Sequence, residues 1–476
     1  MKAMKYLLVA AAMMAVAPAS AQNAEDNPEV KAVIELIKTN KEEAVKQGQK
    51  LVKKNKKNPD VAYAIGSAFL KEKDFDNANI FADLAIKNAP KAAAGHLLAG
   101  DIAYEQNDGG VAAAEYEQAI YLEEMNEDAY YKYASIYKGK SPELAIEKLE
   151  TLKTKRPDLE IDRKIAEVYY FSNEFDNAAQ RYGSIDRSKL DEKDLTNYAM
   201  ALFMKHDYDQ SLAIAKEGLA RNAKDAAFNR LALYNLTDMK QYDQALTYAD
   251  ALFNKSEDAK VSYMDKAYYG YALNGVKDYT GAITKFQEAL NDPDVREDMK
   301  TPMMKTLADA YIENQQFDEA ANTMKQYLDK LGSKKTIGDM YELENLYCTK
   351  AEKADDEAGQ KAAMAEAEGV YNDISAVDGA QKLYQPVILL ARTWSNLDAE
   401  TTKGWAKPWY EKTASLLEGL GDAKYNKQLI ECYRYLGYYY YIQTDPSVAK
   451  TADTYWKKIL QIDPENEVAK KALGIK

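Results

Sequence analysis

The chain has 476 residues, of which 46% are apolar, so it can bury a core as several domains or as one long array. It carries 63 Lys and Arg against 76 Asp and Glu, a formal net charge of −13, which argues against nucleic acid and anionic lipid as partners. Charged residues of both signs are interspersed with apolar ones, so the composition is not that of a disordered chain.

Residues 1–21 read as a secretory signal peptide. Lys2 and Lys5 make a charged start, residues 6–17 form an apolar run too short to span a bilayer, and Ala19-Ser20-Ala21 supplies small residues for cleavage. Its removal takes two lysines, so the mature charge is −13 − 2 = −15. No cysteine stands at the cleavage point, and no later apolar run is long enough to cross a membrane. Export to the periplasm is the expectation, with attachment to the outer membrane or full secretion as alternatives.

Residues 22–58 read as a polar start followed by a short capping helix pair, with Val33, Ile34 and Ile37 on one helix and Ala44, Val45, Leu51 and Val52 on the next. From residue 59 a short phrase recurs. It is DFDNA at 74–78, EFDNA at 174–178 and DYDQS at 207–211. It is then QYDQA at 241–245, DYTGA at 278–282 and QFDEA at 316–320. The last residues of the final five copies lie 33, 34, 37 and 38 positions apart, and the first gap is 100. A period in this range signals stacked helix pairs. Apolar residues at spacings of three and four place Ile65, Gly66 and Phe69 on one helix, and Ala78, Ala82 and Ala85 on its partner. Small residues allow close helix approach, Phe69 and Phe75 fill the space around them, and Pro90 ends the unit. Asp76 and its equivalents (Asp in five of the six copies, Thr in the other) are expected to be the N-caps of the second helices.

After Leu331 the pattern loosens over 332–464. Helix pairs are expected at 341–354 with 362–374, at 383–397 with 405–417, and at 430–443 with 448–462. A closing helix follows within 465–476. Cys348 and Cys432 fall in different repeats and are read as two buried free thiols, with a disulfide between them, permitted in an exported protein, as the alternative. His96 and His206 have no second His or Cys at ligand spacing, so no metal site is expected.

These residues resemble the tetratricopeptide repeat. The pattern of that family is matched in the first unit by Gly66, Phe69, Ala78, Ala85 and Pro90, and in the second by Gly100, Ala112, Tyr116 and Ala119. Later units carry it at Ala134, Tyr137 and Ala145, at Ala166, Tyr169 and Ala178, at Gly270, Ala282 and Phe286, and at Ala308, Tyr311 and Ala320. The resemblance implies an all-α, right-handed superhelical solenoid of about eleven antiparallel helix pairs, with regular repeats over 59–331 and degenerate ones over 332–464. It also implies a concave face built by the first helices, which binds protein or peptide segments in that family. Carried over position by position, that face holds Tyr63, Asp101, Tyr104, Tyr131, Arg163, Glu167 and Tyr170. Farther along it holds Arg230, Tyr234, Tyr271, Asn274, Lys305, Asp309, Arg434, Tyr438 and Tyr441. Tyr and Arg dominate binding hot spots. Tyr438 to Tyr441 are four consecutive tyrosines and cannot all face one packing seam of a helix. Some members clamp a partner's terminal carboxylate with Lys and Asn; Tyr63 and Ser67 occupy the matching places in the first unit, which argues against that mode.

No phosphate-binding loop, nucleophile motif or paired-Cys spacing is present. The expectation is a non-enzymatic protein-interaction scaffold of the cell envelope, without cofactor or metal. The alternative is a glycan-binding protein that uses Trp394, Trp405, Trp409 or Trp456, although these more plausibly fill gaps between irregular repeats. A murein-cleaving enzyme would need a separate catalytic domain, for which the repeats leave no room.

Overall fold

The computed structural model describes residues 24–257 and 259–475. The expected signal peptide therefore lies outside the described residues. Among them there is no strand, and no helix is long and apolar enough to cross a membrane. The chain divides into two units, 1–259 and 260–476.

The first unit stacks seven helix pairs. They are α1 (Pro28–Thr39) with α2 (Lys41–Lys54), α3 (Asp60–Lys71) with α4 (Phe75–Asn88), and α5 (Ala94–Glu105) with α6 (Gly109–Leu122). Next come α7 (Glu127–Tyr137) with α8 (Pro142–Lys155) and α9 (Ile161–Phe171) with α10 (Phe175–Gly183). The last two are α11 (Glu192–Met204) with α12 (Tyr208–Arg221), and α13 (Ala226–Asp238) with α14 (Tyr242–Asp250). A π-helical turn, Ala251–Lys255, prolongs α14.

The second unit stacks five pairs. These are α15 (Tyr263–Gly275) with α16 (Tyr279–Leu290), α17 (Glu297–Glu313) with α18 (Phe317–Leu331), and α19 (Ile337–Lys353) with α20 (Glu357–Ala376). Then come α21 (Gln385–Leu397) with α22 (Lys407–Leu420), and α23 (Asn426–Tyr441) with α25 (Thr451–Ile462), the short α24 (Pro446–Ala449) lying between these last two. A closing helix, α26 (Glu467–Ala472), packs on α25. Within each unit a helix packs on its neighbours in the chain, and first helices pack on first helices, as α3 does on α5 and α19 on α21. This is the expected all-α solenoid.

One joint recurs inside the pairs. The residue before each copy of the phrase is left-handed: Lys73, Asn173, His206, Lys240, Lys277 and Gln315 have φ between 54° and 66°. Asn107, at the same place in the pair α5–α6, has φ 64°. The next residue donates its N–H back to a carbonyl five positions earlier, as Asp74 does to Phe69 (3.0 Å), Asp108 to Ala103 (2.8 Å) and Gln316 to Tyr311 (2.8 Å). The left-handed residue bonds three positions back, as Lys73 does to Leu70 (2.8 Å). These two bonds define a Schellman ending, which satisfies the last carbonyls of the first helix.

The same residue then begins the second helix, and this corrects the expected caps. The cap is Asp74, not Asp76: the Asp74 carboxylate accepts from the Asn77 N–H at 3.4 Å, and its φ of −90° and ψ of 76° are not helical. Asp207 and Asp278 cap in the same way, through Gln210 and Gly281. The Schellman turn brings the chain into the next helix two residues sooner than expected, so Asp76 already lies in the first turn, where it faces the positive helix end. Glu174, Gln241 and Gln316 make no side-chain cap bond, since one extra methylene spoils the short reach that Asp has. The turn after α7 lacks the left-handed residue; Ser141 instead donates to the Tyr137 carbonyl at 2.9 Å.

The small residues sit at the contacts expected of them. Ala78, Ala82, Ala85, Ala112, Ala119 and Ala145 are buried, with Phe69 stacked on Phe81 at 5.5 Å. Cys348 and Cys432 are free and buried. Trp394 and Trp456 are buried in the irregular pairs, as gap fillers.

The core of the second unit holds a buried acid. Glu344 on α19 is 0% exposed, and neither carboxylate oxygen has a hydrogen-bond partner. Burial pushes its pKa up to about 9, so it is held as the neutral acid.

Two outcomes follow from these contacts. Gln241→Asp should supply the missing cap and raise stability by roughly 1 kcal/mol, whereas Lys277→Val should lower it by about 1–2 kcal/mol through a β-branched left-handed residue; denaturant titration measures both. For Glu344, the folded pKa lies above an unfolded value of about 4.3. The unfolded state therefore loses its proton first, and stability falls as pH rises through that window. Glu344→Leu should remove this slope and stabilise the second unit at neutral pH by roughly 3 kcal/mol. A melting-temperature profile unchanged by the substitution would contradict it.

Candidate functional site

The residues expected on the first-helix face do not all reach it. Tyr63 is 1% exposed, and its hydroxyl donates to Asp101 Oδ2 at 3.0 Å. Tyr170 is buried edge-on to Phe171 and Phe175 at 5.3 and 6.0 Å, and Tyr234 is buried against Phe203 at 6.0 Å. Asp101 and Glu167 are buried as well, so all five are corrections, the three tyrosines among them. The tyrosine rings are large enough to close the seam between neighbouring first helices, where burial of apolar area outweighs display of the hydroxyl.

Tyr104, Tyr131, Arg163, Arg230, Tyr271 and Asn274 are half-buried, as is Lys305, while Asp309 is exposed. Lys164 sits over the Tyr131 ring at 5.2 Å. Arg163 pairs with both Asp191 and Asp194, fastening α9 to α11. Tyr271 packs against Phe286 at 5.0 Å, and Asn274 leaves a buried amide oxygen without a hydrogen bond. Lys305 pairs with Glu342 at 3.0 Å. At the far end of the second unit Arg434 is exposed, and Tyr438 and Tyr441 are 43% and 65% exposed. Spaced by four and three residues, they line one stripe of α23. The two tyrosines between them are engaged: Tyr439 lies against Gly404, where a Cβ would come within 2.5 Å of its ring, and Tyr440 donates to Glu411 at 3.1 Å.

Two polar nodes lie between the first helices of the first unit. At one, Asp101 on α5 is 9% exposed and accepts from Tyr63, from Tyr116 at 2.8 Å and from Lys132 Nζ at 2.6 Å. At the other, Glu167 on α9 meets three ammonium groups, Lys193 at 2.9 Å, Lys164 at 3.1 Å and Lys138 at 3.5 Å. Although burial opposes it, these lysines hold the Glu167 carboxyl at about 2. Lys138 is pushed down by burial, with Lys193 and Lys164 adding to the effect, and it caps the Phe171 ring at 4.1 Å. Among the residues joined here only Tyr63, Asp101, Arg163 and Glu167 follow from the position rule. Lys132 and Lys164 stand one position past the expected contact residue. Their signal was the pairing of Asp128 with Lys132, and of Lys164 with Glu167, at helical spacing.

Nothing in this arrangement forms a nucleophile–base pair in a cleft, and among the described residues no group of three His, Cys, Asp or Glu converges on a possible metal position. A surface cleft of about 510 Å³ between α22, α23 and α25 is crossed by Tyr433 and Lys458, both held on Glu418. The glycan alternative finds no support in the tryptophans. Lys403 and Lys361 lie over Trp405 at 4.1 and 4.8 Å, and Lys412 lies over Trp409 at 5.6 Å, so these rings already carry cations.

No protein family and no curated protein matches the sequence. Several solved structures are similar. The C-terminal part of a TPR repeat-containing protein from Cytophaga hutchinsonii matches at 25% identity and TM-score 0.40, over 58% of this chain and 99% of that one. A tetratricopeptide repeat protein from Parabacteroides merdae matches at 17% identity and TM-score 0.38, over 54% of this chain and 96% of that one. Pseudomonas aeruginosa PilF matches at 14% identity and TM-score 0.32, over 55% of this chain and 96% of that one. All three scores are low, and the solenoid assignment stands on the helix pairs and joints described above.

The Asp101 node depends on Gly100. A Cβ there would stand 2.4 Å from the Tyr116 ring. Gly100→Ala should displace Tyr116 from Asp101 and cost roughly 1–3 kcal/mol, read as a lower melting temperature; Asp101→Asn in that background should then cost less than it does alone.

Proposed function

We propose that the chain is a non-enzymatic scaffold of the bacterial cell envelope, exported by its leader to the periplasm, that holds protein or peptide segments against its first-helix faces. The carrying observation is the stripe Arg434, Tyr438 and Tyr441 on α23, which leaves large aromatic surface and a guanidinium in solvent. Elsewhere on the first helices most charges are already paired within the chain, as in Lys305 with Glu342 and Arg392 with Glu431 (2.7 Å). Exposed Tyr on a helix offers large contact area at low entropic cost, because only two side-chain angles are fixed on binding, and Arg adds planar hydrogen-bond donors. The acidic net charge and the repeat architecture support a protein partner over nucleic acid.

A photo-crosslinking amino acid at Tyr438 or Tyr441, in cells making the full chain, should capture a defined protein. The same group at Tyr121, which is 75% exposed on the second helix α6, should not. Equal capture at all three positions, or none at the first two, would overturn the reading. Sequencing the mature N-terminus from the same cells should give a chain that begins at Gln22.

A further inference from the structure

The node at Asp101 holds more negative charge than it neutralises. Asp128, on α7 beside Lys132, turns toward the same place, with 18% of its side chain exposed. Lys132 Nζ, 2.6 Å from Asp101, lies 3.7 Å from Asp128 Oδ2, too far for a hydrogen bond. That oxygen is buried and has no hydrogen-bond partner; the Ser67 hydroxyl oxygen on α3 is in the same condition. Two carboxylates therefore share one ammonium, and the lysine has given itself to one of them.

We infer that Asp128 is a proton-operated joint between helix pairs. Protonated, it leaves Asp101 and Lys132 as a matched pair bridging α5 and α7. Ionised, it places one uncompensated negative charge in the seam and loosens it. The groups facing Asp128 come from each helix around the node: Tyr63 from α3, Asp101 from α5, Tyr116 from α6, and Glu127 and Lys132 from α7 itself. The charged groups of α9 are engaged elsewhere, Arg163 with Asp191 and Asp194, Lys164 with Glu167. Burial lifts the Asp128 carboxyl to about 7; Lys132 opposes the shift, and Asp101 and Glu127 add to it. Unfolded, the same carboxyl titrates near about 3.9. Its folded value is thus raised, the unfolded chain releases the proton first, and the stabilising contribution is full below about pH 4 and lost as pH rises to about 7. Glu167 titrates below this window, and Glu344 lies in the other unit.

The test reads the node locally, in the full chain. Amide hydrogen exchange in α5 and α7, corrected for intrinsic rates, should show protection falling about tenfold between about pH 6 and about pH 8, because a group with its midpoint near 7 changes state across that interval. Asp128→Asn should abolish the difference while leaving α17 and α18 unaffected. A variant with the wild-type pH dependence, or a wild type with none, overturns the proposal. So does a carbon-13 titration of the wild-type Asp128 carboxyl with a midpoint below about pH 5, a measurement that needs no variant to fold.

Discussion

The fold depends on a backbone constraint more than on any side chain. Each regular pair must reverse direction within three residues, and the observed solution puts one residue in the left-handed region. The carbonyl of the first helix and the amide entering the second are then satisfied by a single bond, as between Phe69 and Asp74. That turn fixes how closely the two helices approach, which is why Ala78 and Ala112 must be small. Close approach in turn leaves the seam between successive first helices for large side chains, and Tyr63 and Tyr234 fill it.

Filling a seam with tyrosine has an electrostatic consequence. The hydroxyl must find an acceptor or remain unsatisfied. Tyr63 and Tyr116 both find Asp101, and burying that carboxylate then requires a cation, which Lys132 supplies. Glu167 with its three lysines, and Arg163 with its two aspartates, repeat the theme along the same row of helices. The first-helix side of the first unit is therefore a row of polar nodes paired within the chain, with Asp128 the member left without a hydrogen bond on its buried oxygen. Aromatic surface in quantity appears instead on α23, the last long first helix.

Much of this was legible in the residues. Small residues at a fixed period, with an aromatic between them, can serve only close helix pairs, so Gly66, Phe69, Ala78 and Ala85 announced the architecture. The cap was misplaced because the left-handed residue carries no chemical mark. It is Lys, Asn, His or Gln and never Gly, and the backbone bond selects the conformation. Tyr63 and Tyr234 were assigned to the open face by position alone, which ignores that a ring can fold into the seam, as Tyr63 does onto Asp101 and Tyr234 onto Phe203. Glu344 could not be found at all, since a carboxylate on an irregular helix looks the same in sequence whether water or core lies beyond it. Tyr438 to Tyr441 were legible for a geometric reason: four consecutive rings on a helix must point in different directions.

Because helices touch only near neighbours, the array has unusual mechanics. Pulled from its ends, such a chain has no central core to shear. Its stability is close to a sum over pairs and the interfaces between neighbours, so each unit can open one helix pair at a time. Resistance to a step is greatest where a polar node ties three pairs together, as Asp101 ties α3, α5 and α7. Opening of the first unit is thus graded along its length, resisted most where Asp101, Glu167 and Arg163 sit.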